Sequence, residues 1–184
     1  MTSTDGSVIS PLHVALFNRN VELVRRLVTS GVDVNDFYGG VTACHLATVV
    51  DASTAVFIDA LLRPESHCDD ATCDVNARDS ANGRTPLHYA VLRGNDRALR
   101  SLIGARGVEL DAVDGDSWTA LLMAAQRGST DIAQILLAAG CDVNRATSTG
   151  YTALHMAAKG CHLDLVRLLI DFKADVSATA DSGQ

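Results

Sequence analysis

The clearest order in the chain is a pair of apolar doublets four residues apart. Leu23-Val24 is followed by Leu27-Val28, and near the other end Leu165-Val166 is followed by Leu169-Ile170. Apolar residues at i, i+1, i+4 and i+5 share one side of a 3.6-residue helix, so each run predicts a helix with a single buried stripe. Shorter segments opening on Ser or Thr recur along the chain: Ser10-Pro11-Leu12-His13, Thr42-Ala43-Cys44-His45, Thr85-Pro86-Leu87-His88, Thr119-Ala120-Leu121-Leu122 and Thr152-Ala153-Leu154-His155. Their starts are separated by 32, 43, 34 and 33 residues. A second marker follows each: Asp33-Val34-Asn35, Asp74-Val75-Asn76, Glu109-Leu110-Asp111, Asp142-Val143-Asn144 and Asp175-Val176-Ser177. Two markers in step through five copies establish an internal repeat.

Each copy reads as helix, tight turn, helix, then an extended finger. The Ser or Thr is suited to cap the first helix, its hydroxyl accepting from a first-turn amide. Pro11 and Pro86 beside it cost nothing, because that position has no intrahelical amide bond to lose. Ala15, Ala47, Ala90, Ala124 and Ala157 come five residues after the cap, where small side chains let helices approach. Gly31, Gly107 and Gly140 are placed to stop the second helix in a left-handed conformation. No copy could bury both faces alone, so stability must come from stacking neighbours.

These residues carry a family resemblance. Gly83-Arg84-Thr85-Pro86-Leu87-His88-Tyr89-Ala90 and Gly150-Tyr151-Thr152-Ala153-Leu154-His155-Met156-Ala157-Ala158, at a period near 33, resemble the ankyrin repeat. The resemblance covers roughly residues 8–178 and implies an all-α ankyrin-repeat solenoid of stacked helix-turn-helix units with β-hairpin fingers. On that reading residues 1–7 are an N-terminal tail and 179–184 a C-terminal one. The single domain between them holds repeats at about 8–35, 36–76, 77–111, 112–144 and 145–178. The second copy is about ten residues longer, with the excess expected around Val49 to Ala55 and in a loop near 63–73. The fourth has Leu122 where His is expected, and the fifth has Cys161 and Lys173 in place of turn glycines. The last copy keeps Leu165, Leu168, Leu169, Ile170 and Phe172, so either the tail after Ser177 folds over it or the natural protein continues.

Composition narrows the function classes. Net charge is −7, from 22 acidic and 15 basic residues, which argues against nucleic acid and anionic lipid. No apolar run approaches a bilayer span and the start has no signal-peptide character, so an intracellular setting, cytoplasmic or nuclear, is expected. Five cysteines, an odd count, fit free thiols better than a disulfide framework. Four of the six histidines, His13, His45, His88 and His155, share one repeat position, and His162 sits at a turn. They read as structural groups locking the helix entrance to the neighbouring finger. No nucleophile elbow, phosphate loop or His-Glu metal helix is present, so an enzyme is not expected, nor a cofactor. His67, Cys68 and Cys73 offer three zinc-ligand groups in seven residues, but without a second pair a solvated loop with free thiols is the preferred reading. A disulfide between Cys68 and Cys73, or a redox-responsive loop there, is the alternative.

The family resemblance implies that a partner protein is gripped by the fingers and the first helices. The matching positions before each cap are Val41, Arg84, Trp118 and Tyr151, with Phe37, Tyr38, Asn82, Asp116 and Thr149 close by. The exposed ends of the first helices offer Val49, Val50, Leu92, Arg93, Gln126, Arg127 and Lys159. Arg, Trp and Tyr dominate binding energy at interfaces, so Arg84, Trp118 and Tyr151 are the expected hot spots. The leading expectation is a non-catalytic adaptor, scaffold or inhibitor, with the inhibitor-of-kappa-B type as one possibility. An ankyrin segment of a larger enzyme or channel is the alternative. A monomer is expected, or end-to-end association through the last repeat.

Overall fold

The computed structural model describes residues 9–50, 55–62 and 73–181, and the chain divides into two compact units, Met1–Val108 and Glu109–Gln184. The stretches expected to hold the extra length of the second repeat fall largely outside the described residues, and His67 and Cys68 lie there too.

In the first unit, helices α1 (Pro11–Phe17), α3 (Ala43–Val50) and α5 (Pro86–Arg93) pack in a row. Behind them α2 (Val21–Thr29), α4 (Val56–Leu62) and α6 (Asp96–Ile103) form a second row. Between α2 and α3, strands β1 (Phe37–Tyr38) and β2 (Val41–Thr42) make an antiparallel hairpin, Phe37 opposite Thr42 and Tyr38 opposite Val41. The second unit repeats the plan: α7 (Ala120–Arg127) packs on α9 (Ala153–Lys159), and α8 (Thr130–Ala138) on α10 (Leu163–Asp171). The alanine five residues after each cap is at most 1% exposed, as close helix approach requires. No described helix is long and apolar enough to cross a membrane.

The expected single stripe on each second helix has two edges that behave differently. In α2, Val24 and Val28 are buried while Leu23 is exposed and Leu27 half-buried. In α10 the choice is reversed: Leu165 and Leu169 are fully buried, whereas Val166 is half-buried and Ile170 is 46% exposed. The Val/Ile edge of α2 has a following helix, α4, to cover it; the Leu edge of α10 has a preceding one, α8. In α8 both edges, Ile132-Ala133 and Leu136-Leu137, are buried. Among the described residues, the chain beyond α10 leaves Ile170 on its outer face exposed. It turns to the finger instead, with Ala180 buried, the Asp181 amide donating to the Thr149 carbonyl at 3.1 Å, and Gly150 against Ala180.

Polar groups tie each copy to the next. The Asp74 amide donates to Asn35 Oδ1 at 2.7 Å and Asn76 Nδ2 to the Gly107 carbonyl at 2.7 Å. In the second unit the Asp142 amide reaches Asp111 Oδ1 at 3.0 Å, and that of Asp175 reaches Asn144 Oδ1 at 2.8 Å. The second sequence marker is therefore a hydrogen-bond ladder linking successive copies within each unit. Buried Asn95 does two jobs: Oδ1 caps α6 by accepting from the Ala98 amide, and Nδ2 donates to the Thr48 carbonyl at the end of α3. Asn95→Ala removes both and is expected to cost about 2 kcal/mol, read as a lowered urea midpoint by circular dichroism.

The turn glycines are only partly as expected. Gly31 and Gly140 follow their helices in the left-handed region, but α6 ends at Ile103 with Gly104 as its cap, and left-handed Gly107 turns the chain afterwards. Cys161 (φ 56°) and Lys173 (φ 68°) adopt the left-handed conformation without being glycine. Side-chain crowding disfavours that region, so Lys173→Gly is expected to raise stability by about 0.5–1 kcal/mol. An unchanged or lower midpoint in urea would show that the lysine compensates its own strain.

Candidate functional site

Expected capping by the hydroxyl alone holds for α7, where Thr119 Oγ1 accepts from the Leu122 amide at 3.2 Å. Ser10 makes no such bond. Elsewhere the histidine three residues on carries much of the load. His45 Nδ1 accepts from the Thr42 amide at 3.2 Å and lies 2.9 Å from Thr42 Oγ1. His88 with Thr85 and His155 with Thr152 repeat the arrangement. The far nitrogen then reaches the following finger: His45 Nε2 donates to the Arg84 carbonyl at 2.9 Å, and His13 Nε2 to that of Val41 at 3.2 Å. Burial pulls the pKa of both His13 and His45 below the usual histidine value. These are structural imidazoles, as the repeat position implied. The His162 ring lies against Gly128 and Gly160 at its turn, again a packing role.

The partner-binding candidates separate into two groups, one in each unit. In the first unit, the β1–β2 hairpin holds Tyr38 and Val41 opposite each other, and the Tyr38 ring lies 5.7 Å from that of His13 and 6.5 Å from that of Phe17. Val14, Phe17 and Phe37 are exposed there; Val14 and Phe17 had no motif to single them out, since their helix buries its other side. Arg84 is half-buried, and its carbonyl closes the finger by accepting from the Asp79 amide at 2.8 Å. Leu92 is half-buried and Arg93 exposed at the end of α5.

In the second unit, five candidates meet. Asp116, Trp118, Gln126, Tyr151 and Lys159 line one open cavity of about 280 Å³, together with Thr147, Ser148, Thr149 and Met156. Arg127 is exposed outside it. Each aromatic is held by its own finger. The Asp114 amide donates to the Trp118 carbonyl at 2.9 Å, and Asp114 Oδ1 accepts from the amides of Trp118 and Asp116 at 2.9 and 3.0 Å. Thr147 plays the same part for Tyr151: its amide donates to the Tyr151 carbonyl at 2.9 Å and its hydroxyl accepts from the Tyr151 amide at 3.2 Å. The Tyr151 ring stands edge-on to His155, centroids 5.7 Å apart. Gln126 and Lys159 arrive from the last turns of α7 and α9, which are packed together. The result is a cup with aromatic and thioether surface, three aliphatic hydroxyls and a phenol, one carboxamide, one carboxylate and one ammonium. Such a lining suits a side chain with an apolar body and a polar head.

One thiol is placed differently from expectation. Cys73 is buried rather than solvated, and its thiol is free. Among the described residues no group of three metal-ligating side chains comes together.

A profile of ankyrin repeats in three copies matches residues 57–147 and 92–180, and a single ankyrin-repeat profile matches 9–37. The chain belongs to the ankyrin-repeat family. Its ankyrin repeats are 30% identical over 160 residues to the nuclear factor NF-kappa-B p105 subunit of Gallus gallus, covering 71% of this chain and 16% of that protein. They are 34% identical over 131 residues to the B-cell lymphoma 3 protein homolog of Mus musculus, covering 70% of this chain and 28% of that one. The crystal structure of the ankyrin repeat domain of Bcl-3, described as a member of the IkappaB protein family, matches with a TM-score of 0.68 and 27% identity, over 96% of this chain and 91% of that domain. The chain thus spans less than a third of both full-length relatives while matching nearly all of an isolated ankyrin domain.

Proposed function

We propose that this ankyrin-repeat protein is a non-catalytic binding module that holds a partner protein, with the Trp118–Tyr151 cup as its principal anchor. The observation that carries the reading is the convergence of Asp116, Trp118, Gln126, Tyr151 and Lys159 on one cavity. The Asp114 and Thr147 amides donate to the carbonyls of the aromatic pair, and Asp114 Oδ1 and Thr147 Oγ1 accept from its amides, so little backbone freedom is lost when a partner docks. The exposed apolar residues Val14, Phe17 and Phe37 form a second, weaker contact area in the first unit.

The similarity to p105 and Bcl-3 makes an NF-kappa-B-type subunit the first partner to try. The experiment compares wild type with a Trp118→Ala/Tyr151→Ala variant, both for purified NF-kappa-B subunits and for capture from extract. Loss of a partner by the variant, with its helical circular dichroism unchanged, supports the cup. Equal capture by both moves the binding site elsewhere, to the first unit or the loop at 63–72. Failure of either to hold any specific protein favours a spacer role.

A further inference from the structure

The cup of the second unit has a chemistry that selects its occupant. Its volume, about 280 Å³, falls just below that of pockets for drug-sized molecules, roughly 300–1,000 Å³, and suits one side chain rather than a helix or a strand. The Trp118 indole and the Tyr151 ring supply aromatic surface, and Met156 a thioether. Hydrogen-bond acceptors line the same cavity: the Asp116 carboxylate, the Gln126 carboxamide oxygen and the Ser148 hydroxyl.

Charge favours a cation there. The second unit, residues 109–184, carries ten acidic residues against five basic ones, a net charge of −5 out of the chain's −7. Two further carboxylates belong to residues bonded to the cup's fingers. Buried Asp114 accepts from the amides of Trp118 and Asp116, and the Asp181 amide donates to the Thr149 carbonyl. Lys159 is the cation of the wall, exposed at the end of α9, where a lysine stem covers apolar surface while its head stays in water. Among the described residues Lys159 and Asp116 do not form an ion pair, so the carboxylate is not already neutralised. An apolar occupant would strip water from Asp116 without replacing it, and a carboxylate would meet a like charge at close range.

We propose, resting on the reading of the cup as the partner's anchor, that its occupant is an arginine side chain of the partner. A planar guanidinium stacks on an indole or phenol ring, whose negative face attracts the cation. Its N–H groups form a fork that matches the two oxygens of Asp116, and such charge-assisted pairs are stronger than neutral hydrogen bonds. The remaining donors are matched by the Gln126 and Ser148 oxygens, and the apolar stem has Met156 to pack on. Lysine carries the charge without the plane or the fork, so it binds the same cup more weakly.

The test uses the sole tryptophan as reporter, since Trp118 lines the cup. Acetylated, amidated peptides Gly-Ser-Gly-X-Gly-Ser-Gly, with arginine, lysine, leucine or glutamate at X, are titrated into the folded wild-type chain at low salt. The arginine peptide is expected to change Trp118 emission saturably, with a Kd about tenfold or more below those of the leucine and glutamate peptides and the lysine peptide between. Asp116→Asn should weaken the arginine peptide by about tenfold, and Lys159→Gln, which removes a like charge, should tighten it by about threefold. Tighter binding of the glutamate peptide, weakened by Lys159→Gln, would overturn the arginine assignment and leave the cup as an anchor for an acidic partner. Equal responses to all four peptides, or none, would overturn it as well. The wild-type series needs no substitution, so it decides alone if a variant misfolds. Capture by the Trp118→Ala/Tyr151→Ala variant answers a separate question. A partner lost by that variant but held undiminished by Asp116→Asn keeps the cup and removes the arginine.

Discussion

Replacing His45 with leucine is expected to lower stability by about 3 kcal/mol, although leucine fills much the same volume. The imidazole is fully buried and fully used: Nδ1 accepts from the Thr42 amide and Nε2 donates to the Arg84 carbonyl in the following finger. Leucine leaves the Thr42 amide without the imidazole acceptor and the Arg84 carbonyl with only its bond from the Asp79 amide; an orphaned buried donor costs about 1–3 kcal/mol, and the lost bond to the carbonyl adds to it. The shape itself is acceptable at this repeat position. Leu122 occupies it in the second unit, fully buried, with Thr119 Oγ1 accepting from the Leu122 amide instead. The loss in His45→Leu is therefore polar in origin, and an unchanged urea midpoint by circular dichroism would refute it.

The same histidine gives the loss a pH signature. Its native pKa is lowered by burial, while in the unfolded chain it returns to about 6.5. Below pH about 6.5 the unfolded state binds the proton first, so stability is complete above that value and falls as pH drops towards the native pKa. Wild type should lose stability between pH 7.5 and 5.5, and His45→Leu should lose less, narrowing the gap between them. His13, shifted in the same direction, keeps part of the slope in the variant. Parallel curves for the two proteins would remove His45 from the account.

Trp118→Ala is expected to weaken partner binding by about 2–4 kcal/mol, roughly thirtyfold to a thousandfold in Kd. The indole is half-exposed, lines the cavity, and is the only tryptophan of the chain. Truncation removes a large rigid contact but leaves the finger intact, because the bonds from Asp114 engage the Trp118 backbone and not its ring. Arg127→Ala is the matched control: exposed on the same helix as Gln126 but outside the cavity, it should change Kd by no more than about threefold. Equal effects of the two substitutions would argue against a localised anchor.

Much of the fold was legible in the residues. The repeat spacing, the caps, the small residue that lets helices approach and the shared histidine position were all periodic, and periodic signals accumulate over five copies. The histidines' structural role followed from position alone. At the site, Trp118, Tyr151 and the helix-end residues were identifiable by alignment of one copy on another, yet Met156 and the hydroxyls of Thr147 and Ser148 were not. Those residues join the cup through the packing of α7 on α9 and the turn of one finger, which no spacing rule encodes.

The sequence by itself determined the family, the order of elements and which side of each helix turns inward, because helical period and turn chemistry are local properties. Tertiary structure decided the rest. Two apolar edges on one helix are equivalent in sequence, and only the neighbour that covers one of them makes it core: Val24 and Val28 in α2, Leu165 and Leu169 in α10. Cys73 belongs to a loop by position, yet the packed structure buries it. In each case the deciding quantity is which distant surface arrives, and arrival depends on how the copies stack.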